Sequence, residues 1–384
     1  MINCFRISQR KASRRTLKED ESVNIPLIVS EISVHSENEN NYKNEIKSLI
    51  KDIEDENLQD IEIITKLKLF IEQSGTQIKK SFLEAQTGYD NFYLLHYAAK
   101  TCRAELCKYL VDELGYDIDI RSKSKLTPLH LLVKLNILPK ISDSSLFSCN
   151  THDLKKEKFV ETFEQLIDHN CDYNAVDETK FSAMHYAVSK NNYEAAVLLL
   201  ELENIKIDLE DENLLNPLHL AFKYGHDDIA NLIIEKSNIK SLISTSTETL
   251  PIHLACRQKK DNHQLIKKIL DKLKSESLTD FVNILNKPDM NKTTILQIAI
   301  ENNHLQTVDS LLKEYYQNSC HDDIRLEDRN GNLPIHYAAR YCGAEMLRVL
   351  IKNKFFTNKQ NSNLDNPLHI AASNNRYKFI REYL

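Results

Sequence analysis

The sequence predicts an all-α, elongated and curved solenoid of helix–turn–helix units joined by short β-hairpin loops. Three observations predict it. A short motif recurs at an underlying period of 33–34 residues, as in "NPLHLAFKYGH" from Asn216, "LPIHLACRQK" from Leu250, "NGNLPIHYAAR" from Asn330 and "DNPLHIAASNN" from Asp365. A helix-start signal precedes most copies, and a second, amphipathic helix follows. A period of this length marks a stack of small units that hide their apolar faces against one another.

Taken in chain order, residues 1–45 read as a disordered tail. Its segment "RISQRKASRRTLK", from Arg6 to Lys18, holds six positive charges and no acid, and an acidic, asparagine-rich stretch follows. Neither part can bury a core. The basic cluster suits anionic lipid, a nuclear signal, or phosphorylation at Ser13 or Thr16. Residues 46–88 read as a helical capping segment, with Ile46, Leu49, Ile50 and Ile53 on one face and Leu58, Ile61, Ile64, Leu67 and Ile71 continuing at helical spacing. Such a cap shields the apolar side of the first unit.

The repeating array spans 89–384. Aligned on one position, its anchors are His96, His130, His185, His219, His253, Gln297, His336 and His369, spaced by 34, 55, 34, 34, 44, 39 and 33 residues. The 55 holds an insertion near 137–157, expected as a projecting loop. Smaller insertions fall near Asp271–Phe281 and Tyr315–Asp322, and the last unit reads as incomplete. Thr127, Ser182, Asn216, Thr294 and Asn366 stand where a helix N-cap is wanted. Pro128, Pro217, Pro251, Pro334 and Pro367 occupy the first helical position, where a missing N–H costs nothing. Leu250 and Leu333 replace the capping residue. Glycine is scarce, and Asn191-Asn192, Asn302-Asn303 and Asn374-Asn375 stand at the inter-helix turns, where asparagine tolerates a left-handed backbone.

A T-P-L-H-x-A core at this period is the ankyrin signature, and "LTPLHLL", Leu126 to Leu132, carries its first four letters. From about Tyr89 to its last residue the chain resembles the ankyrin-repeat family, with about eight units. The resemblance implies that each imidazole hydrogen-bonds backbone groups where hairpin meets helix and ties adjacent units together. Gln297 suits that role, since its amide both donates and accepts. Other roles for the histidine are disfavoured by size and number. Neighbouring units stack about 8–10 Å apart, whereas zinc holds its ligands at about 2.0–2.1 Å. A general base needs one good site, not seven copies.

No phosphate loop, dinucleotide fingerprint, nucleophile elbow or zinc-protease motif occurs, and six glycines are too few to build a phosphate cradle. Catalytic residues, cofactors and metals are therefore expected to be absent. The eight cysteines form no C-x-x-C pair and read as free thiols in a reducing compartment. Net charge is −6, which argues against a nucleic-acid partner. No run approaches the 18 apolar residues of a membrane span, and no secretory leader is evident, so a cytoplasmic chain is expected.

The position four after each anchor reads Lys100, Lys134, Ser189, Lys223, Arg257, Glu301, Arg340 and Ser373. The family implies that this position lines the concave binding surface. Lys100, Lys134, Lys223, Arg257 and Arg340 are candidates for a protein partner, as a basic stripe toward an acidic peptide or an anionic head group. The expected function is a non-catalytic interaction scaffold, monomeric by default. A second reading comes from the uneven periods and the leading "FYLLHYAAK". These resemble the N-terminal ankyrin region of TRPA-type cation channels, which would place the chain at the cytosolic face of a membrane within a larger assembly. A third reading, a substrate adaptor, lacks a recruitment motif.

Overall fold

The computed structural model describes residues 36–74, 86–135, 149–237, 246, 248–317, 327–355 and 357–384. The described residues hold helices and no extended strand, only the isolated bridges Thr87–Phe92 and Val176–Ser182. Among the described residues the array consists of eight helical pairs. The inner helices are α3 (Leu94–Lys100), α5 (Pro128–Lys134), α7 (Ala183–Ser189), α9 (Pro217–Tyr224), α11 (Pro251–Arg257), α14 (Ile295–Glu301), α16 (Pro334–Tyr341) and α18 (Pro367–Ser373). The outer helices are α4 (Ala104–Asp112), α6 (Cys149–Asp168), α8 (Tyr193–Leu200), α10 (Asp227–Lys236), α12 (His263–Glu276), α15 (Leu305–Gln317), α17 (Ala344–Lys352) and α19 (Tyr377–Tyr383). Each inner helix packs on the next inner helix. The outer helices likewise pack in series from α8 onward. This one-dimensional order is what a solenoid requires.

Local chemistry sets each inner helix. The side chains of Thr127, Ser182, Asn216, Thr294 and Asn366 accept the backbone N–H three residues on, at 2.9–3.4 Å. Proline at the first helical position of α5, α9, α11, α16 and α18 fixes φ where no hydrogen bond is lost. The buried alanines Ala98, Ala99, Ala187, Ala221, Ala255, Ala299, Ala338, Ala339 and Ala371 let the outer helices approach closely. At the turns, Asn191, Asn303 and Asn375 are left-handed, as is Gly225.

The hairpins are tight turns, not strands. Asp177 accepts the N–H groups of Thr179 and Phe181, each at 2.8 Å. Asp211, Asp289, Asp328 and Asn361 repeat this with the residues two and four positions on, at 2.8–3.0 Å. Side-chain acceptors thus take N–H groups that a ladder would use. Successive tips are joined by single backbone bonds: Lys123 N–H to Asp90 O, Glu178 N–H to Ser124 O, Glu212 N–H to Thr179 O and Ser362 N–H to Asn330 O, at 2.9–3.2 Å.

Several expected boundaries move. The cap comprises α1 (Ser36–Glu54) and α2 (Asp60–Ser74), so its first helix starts ten residues before 46 and takes in the end of the stretch expected as tail. Ile46, Leu49, Ile50 and Ile53 are buried as a face. On α2, Ile63 and Leu67 are fully buried while Ile61 is 73% exposed. The helix begins at Asp60, and its phase turns Ile61 away from the array. The insertion at 137–157 is not all loop: from Cys149 it is helix and lengthens α6 to 20 residues, burying Phe159, Phe163 and Leu166. Near 271–281 the extra residues lengthen α12 and open α13 (Leu278–Asn286). Phe281 and Leu285 of α13 are buried, and the buried Tyr315 hydroxyl donates to Leu285 O at 2.7 Å. Residues 1–35, 136–148 and 318–326, on which the expected tail and parts of two expected insertions fall, lie outside the described residues.

Candidate functional site

The repeated histidines make one arrangement throughout. Nδ1 of His96, His130, His185, His219, His253, His336 and His369 accepts the backbone N–H three residues earlier, at 2.9–3.4 Å. An imidazole nitrogen that accepts carries no proton, so the other nitrogen is the donor. Nε2 duly lies against a carbonyl of the following hairpin: Leu126 for His96, Ala175 and Phe181 for His130, Leu215 for His185, Thr249 for His219, Lys287 for His253 and Lys359 for His336, at 2.9–3.2 Å. At Thr127, Ser182, Asn216 and Asn366 the ring closes a reciprocal cap within its unit, and every ring but that of His369 bridges to the next unit. At Gln297, Oε1 accepts the Thr294 N–H at 2.9 Å. His369 faces no ninth hairpin among the described residues, and its side chain is 58% exposed.

Burial suppresses the charged form of these rings. His96, His130 and His253 are each held down to about 4, chiefly by loss of hydration, with their carbonyl partners and neighbouring acids opposing the shift. Burial also lowers His185, His219 and His336. Among the described residues no group of three or more His, Cys, Asp or Glu side chains is placed to hold a metal ion. Cys102, Cys107, Cys171, Cys256 and Cys342 are free thiols. Burial pushes Cys102 and Cys342 up to about 12, and Cys107 and Cys256 higher still, where the nucleophilic thiolate is not populated at neutral pH.

A second connector between units is absent from the expectations. Seven residues after the anchor, at the inter-helix turn, a side chain donates to the C-terminal carbonyls of the preceding inner helix. Asn192 reaches Val133 O and Leu135 O at 3.2 and 3.1 Å, and Arg376 reaches Arg340 O at 2.9 Å. Arg103, only 6% exposed, binds Ile53 O, Leu58 O and Asp55 O at 2.6–2.8 Å and pairs with Asp60 at 3.0 Å. With α1 packed on α3 and α2 on α4, the cap occupies the place of a preceding unit. In the sixth unit His304 holds this position, buried beside the Gln258 backbone and Asp261 of the preceding unit. Arginine, asparagine and histidine all occur at this position, so the sequence carries no single-letter signature for this connector. The hairpin acid eight residues before the anchor was more legible, as Asp177, Asp211, Asp289 and Asp328.

Lys100, Lys134, Lys223, Arg257 and Arg340 lie in the last turn of their inner helices and are exposed. The five residues hold the same position in inner helices that pack in sequence. Their surroundings differ. Lys100 lies 3.5 Å from Glu54 of the cap. Lys134 stands 5.2 Å from the ring centre of Tyr186 in the next unit, and Lys223 stands 5.9 Å from that of Tyr224, both within cation–π range. Arg257 departs from the expectation of an open binding residue, because it is bonded to the fully buried carboxylate of Asp289. Glu301 interrupts the row between Arg257 and Arg340.

Comparison with known proteins agrees with this architecture. Models of ankyrin repeats match residues 154–245 and 313–384 as multiple copies, and a single-repeat model matches 90–120. Neurogenic locus notch homolog protein 1 of Homo sapiens and of Mus musculus is 34% identical over 132 residues, covering 31% of this chain. The chain spans 5% of the length of those relatives. Among solved structures, the ankyrin repeat domain of Bcl-3, described as a unique member of the IkappaB protein family, aligns at 16% identity with a TM-score of 0.48. It covers 68% of this chain and 99% of that one. The human ASB11 ankyrin repeat domain aligns at 18% identity with a TM-score of 0.42, covering 64% and 92%. The matched repeat models fall on units whose caps, prolines and bridging imidazoles have just been described, and the chain belongs to the ankyrin-repeat family.

Proposed function

We propose that this chain is a non-catalytic scaffold that binds protein partners through the exposed inner face and the hairpin tips of its array. Ankyrin repeats are interaction modules, which supports the general reading. The observation that carries the specific one is the register of basic side chains: Lys100, Lys134, Lys223 and Arg340 end their inner helices, exposed and at one repeat position. Lysines aligned on a rigid frame attract an acidic segment and raise its rate of encounter. Arg257 belongs in part to the frame, because it neutralises Asp289.

The experiment reverses Lys100, Lys134 and Lys223 together to glutamate. Binding of a fluorescein-labelled glutamate-rich peptide is followed by anisotropy at two salt concentrations. The parent binds with an affinity that falls with salt, and the triple variant loses at least tenfold. Equal binding by a folded triple variant overturns the acidic-segment reading. Among the described residues no helix is long and apolar enough to cross a membrane.

A further inference from the structure

We propose that the turn edge of the last two units, formed by Arg340, Tyr341, Arg376 and Tyr377, is a docking site for an extended acidic peptide segment. The proposal rests on the reading of the array as a protein-binding scaffold and places a specific contact beside the inner face. Tyr341 ends α16 and Tyr377 begins α19, so both flank inter-helix turns of adjacent units. The Arg376–Arg340 bond ties these two turns together. Tyr341 is 36% and Tyr377 72% exposed, and Tyr341 lies 6.2 Å from the ring of Tyr337, which limits its motion. Tyr193 holds in the third unit the place Tyr377 holds in the eighth. It is 44% exposed there although units pack on both sides, so the position is open by geometry.

Charge selects the occupant. Arg340 and Lys378 are exposed and Arg376 is half-buried at this edge. Two acids lie near this edge: Glu301 of the preceding unit acts on Tyr337, the ring beside Tyr341, and Glu382 of α19 is paired with Arg348, which leaves Arg340, Arg376 and Lys378 as the local excess of charge. Tyrosine and arginine are the residues that anchor interfaces most strongly. Tyrosine adds rigid area at small entropic cost, with a hydroxyl that donates to carboxylates. An extended segment with carboxylates beside short apolar side chains satisfies both parts of the patch.

The test uses the full chain with labelled peptides of alternating glutamate and alanine, and of alternating lysine and alanine. The Tyr341→Ala/Tyr377→Ala double variant leaves both arginines and the inner-face lysines in place. Circular dichroism melting monitors its folding, and Tyr341→Phe/Tyr377→Phe serves as the conservative variant. The parent is expected to bind the glutamate peptide and not the lysine peptide. The alanine variant should weaken that binding about tenfold, and the phenylalanine variant should recover most of it. Binding unchanged in the alanine variant but lost on reversal of Lys100, Lys134 and Lys223 would overturn the turn edge and leave the scaffold reading standing. No binding of either peptide, equal binding of both, or self-association of the chain relieved by the alanine variant would also overturn it.

Discussion

Replacing His253 by glutamine should separate the hydrogen-bonding role of the anchor from its protonation. Nδ1 of His253 accepts the Leu250 N–H at 2.9 Å, and Nε2 donates to Lys287 O at 3.0 Å. The first bond needs the neutral ring, because a protonated imidazole donates from both nitrogens and accepts at neither. Burial holds the folded ring down to about 4 against an ordinary 6.5. The unfolded chain therefore binds more protons between these values, so stability is full above pH 6.5 and falls as the pH drops toward 4. Linkage gives a loss of about 2 kcal/mol from this one ring between pH 7.5 and pH 5. Glutamine takes up no proton, and Gln297 already makes the equivalent bond to Thr294 N–H at 2.9 Å. His253→Gln should thus cost about 1 kcal/mol at pH 7.5, as an imperfect hydrogen-bond replacement. Between pH 7.5 and pH 5 it should lose about 2 kcal/mol less than the parent. Urea titrations at both pH values, with amide exchange of α11 as a local probe, measure this. Parallel loss in parent and variant would refute a neutral, doubly bonded ring.

Four further outcomes follow from the geometry. His219→Ala removes the bridge to Thr249 O and should cost about 1–2 kcal/mol in urea unfolding. Arg103→Ala strips the carbonyls of the cap and leaves Asp60 unpaired; a loss of about 3 kcal/mol or more at this junction should appear as rapid proteolysis within 36–74. Arg257→Glu sets a like charge against buried Asp289 and should cost more than about 3 kcal/mol, whereas Lys223→Glu on the exposed face should stay within about 0.5 kcal/mol; thermal melts separate the two. Leu364 is left-handed with φ 63° and 70% exposed at a hairpin tip. Gly331 holds the equivalent place with φ 68°, so Leu364→Gly should stabilise by up to about 1 kcal/mol.

The sequence by itself determined the number of units, their period and the start of most inner helices. These depend on short-range chemistry, such as Thr127 accepting from His130 N–H or Pro128 fixing the first turn, and such bonds lie within a few residues along the chain. Asparagine at the turns was legible for the same reason. Tertiary structure alone decided that Asn192, Arg376 and Arg103 reach carbonyls of a preceding helix, that Arg257 is spent on Asp289, and that Ile63 faces inward while Ile61 does not. Those partners stand far apart in sequence, and only the stacking of one unit on the next sets the distance between them. Backbone carbonyls accept from any donor of suitable reach, so arginine and asparagine do the same work at one structural position and leave no common letter to read.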